Sequence, residues 1–281
     1  MREFRKKVAI IDMYNGVQNK GMAGIKEIIG NMEFPLTYDL FNARGENELP
    51  DLSDYSIFIS TGGPGNPIEE GSKWQERYFQ FLDKIVAHNK ENEDDKKHLF
   101  LICHSFQMAC HHFGLGTISK RKSRSFGIYP VHQTTDGEVD PIFDNLDNPM
   151  WVIDSRLYQV IKSNARVFNK QGAKLLSLEK IRNHVELERA VMAIRFTDEI
   201  IGTQFHPEAD QNTFFSILQD KSVREETIAL RGKKKYYRML DDLLDQEKVA
   251  KTYNTILPNF LKRAYQNVIE MPTEILYAAE V

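Results

Sequence analysis

Three runs of apolar residues constrain this chain most: those within KVAIIDMY from Lys7, YSIFIS from Tyr55 and HLFLI from His98. None alternates apolar with polar positions. A strand of that kind is buried on both faces, which is the signature of a parallel sheet covered by helices. The intervening segments agree. Trp74, Tyr78, Phe81, Leu82 and Ile85 recur at helical spacing, so 73–90 predicts an amphipathic helix. GIKEIIGNM predicts a helix after a Gly-rich turn, LTYDLF an extended segment, and the charged NKENEDDKK a surface loop. The expected fold class is α/β, an open, mostly parallel sheet sandwiched by helices. Ligands of such sheets sit at the carboxyl ends of strands. YSIFIS stops there at TGGPGNP, and HLFLI stops at Cys103.

Beyond residue 117 the chain becomes strand-rich and less regular, up to IIGTQF and HPEAD. After residue 210 it reads as helical throughout, with breaks near Gly232 and Pro258. The expected division is a domain over 1–215 and a C-terminal helical extension over 216–281. No apolar run reaches the roughly 20 residues of a membrane span. The basic, then apolar N-terminus has too short an apolar part for a secretory signal and contains Asp12. A net charge of -3 gives no electrostatic case for nucleic acid or an anionic membrane as partner. Cys103 and Cys110 would stand about 10 Å apart along one helix, too far to bridge, so reduced thiols and a cytoplasmic location are expected.

Three segments carry candidate chemistry. A strand, a sharp turn and a helix with Cys103 at the turn have the geometry of a nucleophile elbow, where the helix N-terminus favours a thiolate. A merely buried thiol fits the same segment. TQFHPE places His206 two residues before Glu208, so in an extended chain both side chains project to one side. A carboxylate there can accept the Nδ1 hydrogen of the imidazole and turn Nε2 toward a nucleophile, although a histidine at a strand end is also an ordinary surface residue. The glycines of TGGPGNP let backbone approach a substrate, as a plain turn also would. GNPIEEGSK lacks the spacing and Lys-Ser order of a P-loop, and the dinucleotide fingerprint is absent from the sequence.

In this order, TGGPGNP, LICHSFQ and TQFHPE, with SRSFGIYPV after the elbow helix, resemble the triad-type (class I) glutamine amidotransferases over about residues 7 to 210. The resemblance implies a flavodoxin-like sandwich. It makes Cys103 the nucleophile, His206 the general acid and base, and Glu208 the carboxylate that orients it. It implies that the amides of Gly63 and His104 form an oxyanion hole and that Gln107 helps to hold glutamine. It implies no cofactor and no metal. Two elbow positions where the family has glycine are Leu101 and Ser105, and WVIDSRLYQV stands where many members carry a His-Gly-Asp-like substrate loop. The departures suggest a repacked elbow and leave the substrate open.

Two further patterns point elsewhere with less force. His104, His111, His112 and the two cysteines lack the ligand spacing of zinc motifs. GKKKYYRMLDDLLDQ mixes Lys with Tyr, as nucleic-acid patches do, but its Tyr236, Leu240, Leu243 and Leu244 form a helical apolar stripe beside Asp241, Asp242 and Asp245. The expected protein is a glutaminase-type enzyme releasing ammonia for a separate synthetase. A stand-alone γ-glutamyl or amide hydrolase or transferase, and a non-catalytic regulatory module, are the alternatives. The stripes at Tyr236, Leu240 and Leu244 and at Ile256, Leu257, Phe260 and Leu261 predict a docking or self-association surface, or packing on the sandwich.

Overall fold

The computed structural model describes residues 7–17, 19–69, 71–181 and 188–269. The three apolar runs form β1 (Lys7–Asp12), β3 (Ile57–Ser60) and β4 (His98–Ile102), with β2 (Thr37–Asn42) at the edge. Together with β9 (Ile200–Thr203) they make a parallel set in the order β2-β1-β3-β4-β9. Every residue of β3, β4 and β9 is buried, as unbroken apolar runs require. Helices α1 (Lys20–Gly30), α2 (Lys73–Glu91) and α3 (His104–His112) pack on this part. Helix α1 begins four residues before the GIKEIIGNM segment, because the Asn19 side chain caps it by accepting from the Met22 amide at 2.8 Å.

The rest of the sheet corrects the expectation of an open, mostly parallel sandwich. Strands β8 (Val191–Arg195), β6 (Met150–Ile161), β5 (Thr117–Gln133) and β7 (Lys174–Glu179) continue from β9, all pairing antiparallel. Because β7 also pairs with β8, the four close on themselves as a small barrel at one end of the nine-stranded mixed sheet. The irregular pattern after residue 117 has this origin. Long strands bent by a bulge between Lys120 and Ser125 do not present one constant face to a core.

After the short α4 (Thr135–Glu138) and α5 (Ala165–Gln171), the C-terminal helices are α6 (Gln211–Gln219), α7 (Lys221–Arg231), α8 (Lys233–Leu244), the short α9 (Lys251–Tyr253) and α10 (Ile256–Ile269). Gly232, at φ 83°, separates α7 from α8, and Pro258 lies in the first turn of α10, where its missing N–H is not needed. Most of the two apolar stripes is covered by the chain itself. Ile256, Leu257, Phe260, Leu261 and Ala264 join the core beneath β3 and β4, with Phe260 edge-on to Phe100 at 5.3 Å. Tyr236, Met239 and Leu243 pack with Phe214 and Leu218 on Ile128 and Ile153 of the barrel. Leu244 is left exposed.

Candidate active site

Strands β1, β3, β4 and β9 run the same way, so their carboxyl ends bring Tyr14, Gly62, Cys103 and His206 to one edge. At the end of β4, Cys103 adopts φ 48° and ψ -92°, a left-handed conformation that costs a non-glycine residue on the order of 1–3 kcal/mol. Its neighbours hold it there. The Cys103 amide donates to the Thr203 carbonyl at 2.7 Å, and the Cys103 carbonyl accepts from the Gln107 amide at 2.9 Å. Ser105 Oγ accepts from the Ile102 amide at 2.9 Å and donates to the Ser60 carbonyl at 2.8 Å, tying the elbow to β3. Leu101 fits because its partner across β4 and β9 is Gly202. A Cβ on Gly202 would lie 2.9 Å from Leu101 Cβ and 2.8 Å from the Phe106 ring. The space for Leu101 is thus supplied by a glycine on the adjacent strand.

The segment after β9 carries His206 and Glu208 back over the elbow. The His206 amide donates to the Ile153 carbonyl at 3.0 Å, fixing the segment against β6. His206 Nδ1 is 2.7 Å from Glu208 Oε1, and the carboxylate is 2% exposed. Glu208 in turn rests on the first turns of α1, where the helix N-terminus favours a negative group. Gly21 and Gly24 make this approach possible: a Cβ on Gly24 would lie 2.0 Å from the Glu208 carbonyl oxygen, and one on Gly21 3.1 Å from Oε1. Burial opposes a charged His206 ring, but the charges of Glu208 and Cys103, with hydrogen bonds to both, outweigh it and hold the imidazole well above its ordinary range.

Gly62 closes the cluster. A Cβ there would stand 3.7 Å from Cys103 Cβ, 3.1 Å from His206 Cε1 and 2.9 Å from the Tyr14 hydroxyl. Burial pushes the Tyr14 phenol up to about 12, with His206 opposing and Glu208 and Cys103 adding to the effect. Asp12 shapes this corner by accepting from the amides of Tyr14 (2.8 Å) and Gly16 (2.9 Å). Gly63 lies one step back, where a Cβ would meet the Met13 carbonyl oxygen at 2.7 Å. The His104 amide opens α3, and amides of a first turn have no acceptor within their own helix. The His104 ring is buried near Trp74, and its pKa falls to about 3 through burial, with the Arg44 charge adding. Gln107 is 3% exposed, and both hydrogens of its amide are engaged, on the Tyr158 carbonyl (2.9 Å) and on Gln204 Oε1 (3.0 Å). It therefore reaches the sulfur through Gln204. Cys110 lies fully buried inside α3, where burial raises its thiol pKa.

A family model for glutamine amidotransferase class-I matches residues 9–224. The chain belongs to that family. Solved structures agree on the fold. A glutamine amidotransferase from Thermotoga maritima superposes with a TM-score of 0.65 at 18% identity, covering 92% of this chain and 97% of its own. A glutamine amido transferase from Methylobacillus Flagellatus gives 0.66 at 15% identity, with 94% and 95% covered. The glutaminase domain of Trypanosoma brucei CTPS, solved with bound acivicin, gives 0.52 at 13% identity, with 72% and 86% covered. No curated protein matches the sequence.

In this class-I amidotransferase the barrel approaches the elbow through β6. The Ser155 carbonyl of β6 lies 4.0 Å from Cys103 Sγ, and Arg124 Nη2 donates to Ser155 Oγ at 3.0 Å. On either side of Ser155, Asp154 and Arg156 are buried as a pair, with Nε donating to Oδ2 at 3.0 Å. Ser125 Oγ donates to the same carboxylate oxygen at 2.7 Å. The structure adds Tyr14 and the α1 glycines Gly21 and Gly24 to the residues that the motifs mark, and gives separate contacts to Gly62, Gln204 and Ser155 inside marked motifs. Signals for some were present. Tyr14 ends a buried strand at the ligand edge, and two glycines three apart in an amphipathic helix, each costing about 1 kcal/mol, imply a close neighbour. Ser155 is marked only as part of WVIDSRLYQV. Among the described residues no helix is long and apolar enough to cross a membrane, and no three His, Cys, Asp or Glu side chains are grouped to hold a metal ion.

Proposed function

We propose that this amidotransferase hydrolyses the side-chain amide of glutamine, with Cys103 as nucleophile, and passes the ammonia to a separate synthetase. The observation that carries the reading is the meeting of Cys103 and His206 at Gly62, with Glu208 on the far nitrogen of the ring and the imidazole biased toward its charged form. Cys103 Sγ attacks the amide carbon, and the oxygen becomes an oxyanion facing the amides of Gly63 and His104. As the C–N bond breaks, the imidazolium of His206 gives its proton to the departing nitrogen, releasing ammonia and leaving a γ-glutamyl thioester. Neutral His206 then takes a proton from water, whose oxygen attacks the thioester and expels the thiolate, leaving glutamate. Glu208 holds the ring and offsets its charge in both halves. Gln107, through Gln204, supports the sulfur side of the glutamine pocket.

The neighbour described as a CTPS glutaminase domain supports a synthetase as consumer of the ammonia. Both cysteines are unpaired, and a thiol nucleophile needs a reducing compartment, which supports a cytoplasmic location. The test is ammonia release from glutamine by the purified chain and by Cys103→Ser. Release that depends on Cys103 is expected, and so is stimulation by the cognate synthetase. Turnover of other γ-glutamyl compounds with glutamine untouched would replace this reading by a stand-alone hydrolase.

A further inference from the structure

The sulfur of Cys103 has a second polar neighbour besides His206. Gln204, fully buried, donates from Nε2 to Sγ at 3.6 Å. An amide side chain can present either end, so what fixes this one decides its effect. The Tyr158 carbonyl can only accept, which turns the NH2 group of Gln107 toward it at 2.9 Å. The second hydrogen of that NH2 group points at Gln204 at 3.0 Å, so the Gln204 atom there is its oxygen. The NH2 group of Gln204 is then left facing the sulfur. The direction of the whole relay is set by one backbone carbonyl on β6.

We propose that Gln204 is a catalytic residue that stabilises the Cys103 thiolate with a directed hydrogen bond, and that Gln107 is the positioning residue that prevents Gln204 from turning over. The proposal rests on Cys103 being the nucleophile and assigns Gln107 work behind the sulfur. The sulfur needs this donor because it also faces the Ser155 carbonyl oxygen at 4.0 Å, which suits an S–H and opposes a thiolate. The other charged or titratable groups around it are His206 and Glu208 from the segment after β9, Tyr14 and Asp12 from the end of β1, and Arg124 on Ser155. None of these fixes the orientation of Gln204.

The test is the pH dependence of Cys103 alkylation by iodoacetamide, read by mass spectrometry on the full chain, for wild type, Gln204→Met, Gln204→Glu and Gln107→Met. Loss of one hydrogen bond to the thiolate is expected to raise the alkylation midpoint by about one pH unit in Gln204→Met, and further in Gln204→Glu, whose carboxylate puts negative charge against the sulfur. Gln107→Met, similar in length and leaving Gln204 in place, is expected to raise it by about half a unit. Glutaminase kcat should fall with KM little changed, since neither side chain needs to touch substrate for this role. Unchanged midpoints in Gln204→Met and Gln107→Met, with Cys103 still labelled before Cys110, would overturn the relay alone. If Gln204→Met does not fold, Gln107→Met decides in the same way. Wild-type labelling of Cys110 before Cys103 would overturn the nucleophile reading and the relay with it.

Discussion

The two ends of the sheet are built on different terms. In the parallel part, side chains meet because strand ends coincide: β1, β3, β4 and β9 deliver Tyr14, Gly62, Cys103 and His206 to one edge. In the closed antiparallel part, strands β5 to β8 bury a polar pair, Asp154 and Arg156, within the same structure that presents the Ser155 carbonyl to the sulfur. The parallel part keeps the family motifs nearly intact, and its two changes at the elbow are absorbed locally. Gly202 makes room for Leu101, and the hydroxyl of Ser105 bonds the turn it belongs to. On the barrel side, residues 151–160 read WVIDSRLYQV and lack a His-Gly-Asp triplet. In the proposed reaction the strand ends hold the reacting groups, so a difference in substrate is expected to lie on the barrel side.

The sharpest division between the parts comes from Cys103→Gly. The variant removes the proposed nucleophile and also relieves a left-handed backbone. Glutaminase activity should fall by at least about 10³-fold, while stability to urea rises by about 1 kcal/mol. Loss of activity with loss of stability would show that the elbow is not strained. In the barrel, Arg156→Met leaves Asp154 buried with the Ser125 hydroxyl but without its charged partner and should cost about 3–5 kcal/mol in the same urea titration. The joint replacement Asp154→Leu, Arg156→Met should recover most of that loss. A single variant as stable as wild type would mean that the pair is solvated, and the contrast between the two ends would fail.

Acid titration reports on the parallel end alone. Burial is the main cause holding the pKa of His98 down at about 4 and that of His104 at about 3. Below about pH 6.5 the unfolded chain takes up protons at these residues that the folded chain refuses. Stability is therefore full above that pH and falls as pH drops toward 4 and 3. By pH 5 each should have cost about 2 kcal/mol, and His104→Phe should flatten its share of the slope. His206 acts in the opposite sense. Its folded pKa is raised, so it is protonated in both states below 6.5, and its contribution disappears only as pH rises through the folded value. The smallest effect is expected from Ser105→Ala, which leaves the Ile102 amide without its acceptor and should cost about 1–2 kcal/mol with a modest fall in kcat. A stability change without any kinetic change would confine Ser105 to holding the strand.

The sequence by itself determined the parallel strands, the helix over 73–90, the elbow at Cys103 and the breaks near Gly232 and Pro258. These follow from local rules: unbroken apolar runs, helical spacing, and residues that cannot continue a helix. It also pointed to His206 and Glu208 as a pair, but through an extended chain; the structure instead joins them across a turn, in which the Ala209 amide donates to the His206 carbonyl at 3.2 Å. Tertiary structure alone decided that β7 returns to β8 and closes a barrel, since pairing between strands with irregular faces leaves no periodic trace. It decided that α10 belongs to the core, because an apolar helical stripe says that something covers it and not what. It also decided that Gln107 points at Gln204, ninety-seven residues further along the chain. A glutamine near a cysteine can face substrate or its own backbone, and the choice belongs to the Tyr158 carbonyl, which only folding brings within 2.9 Å.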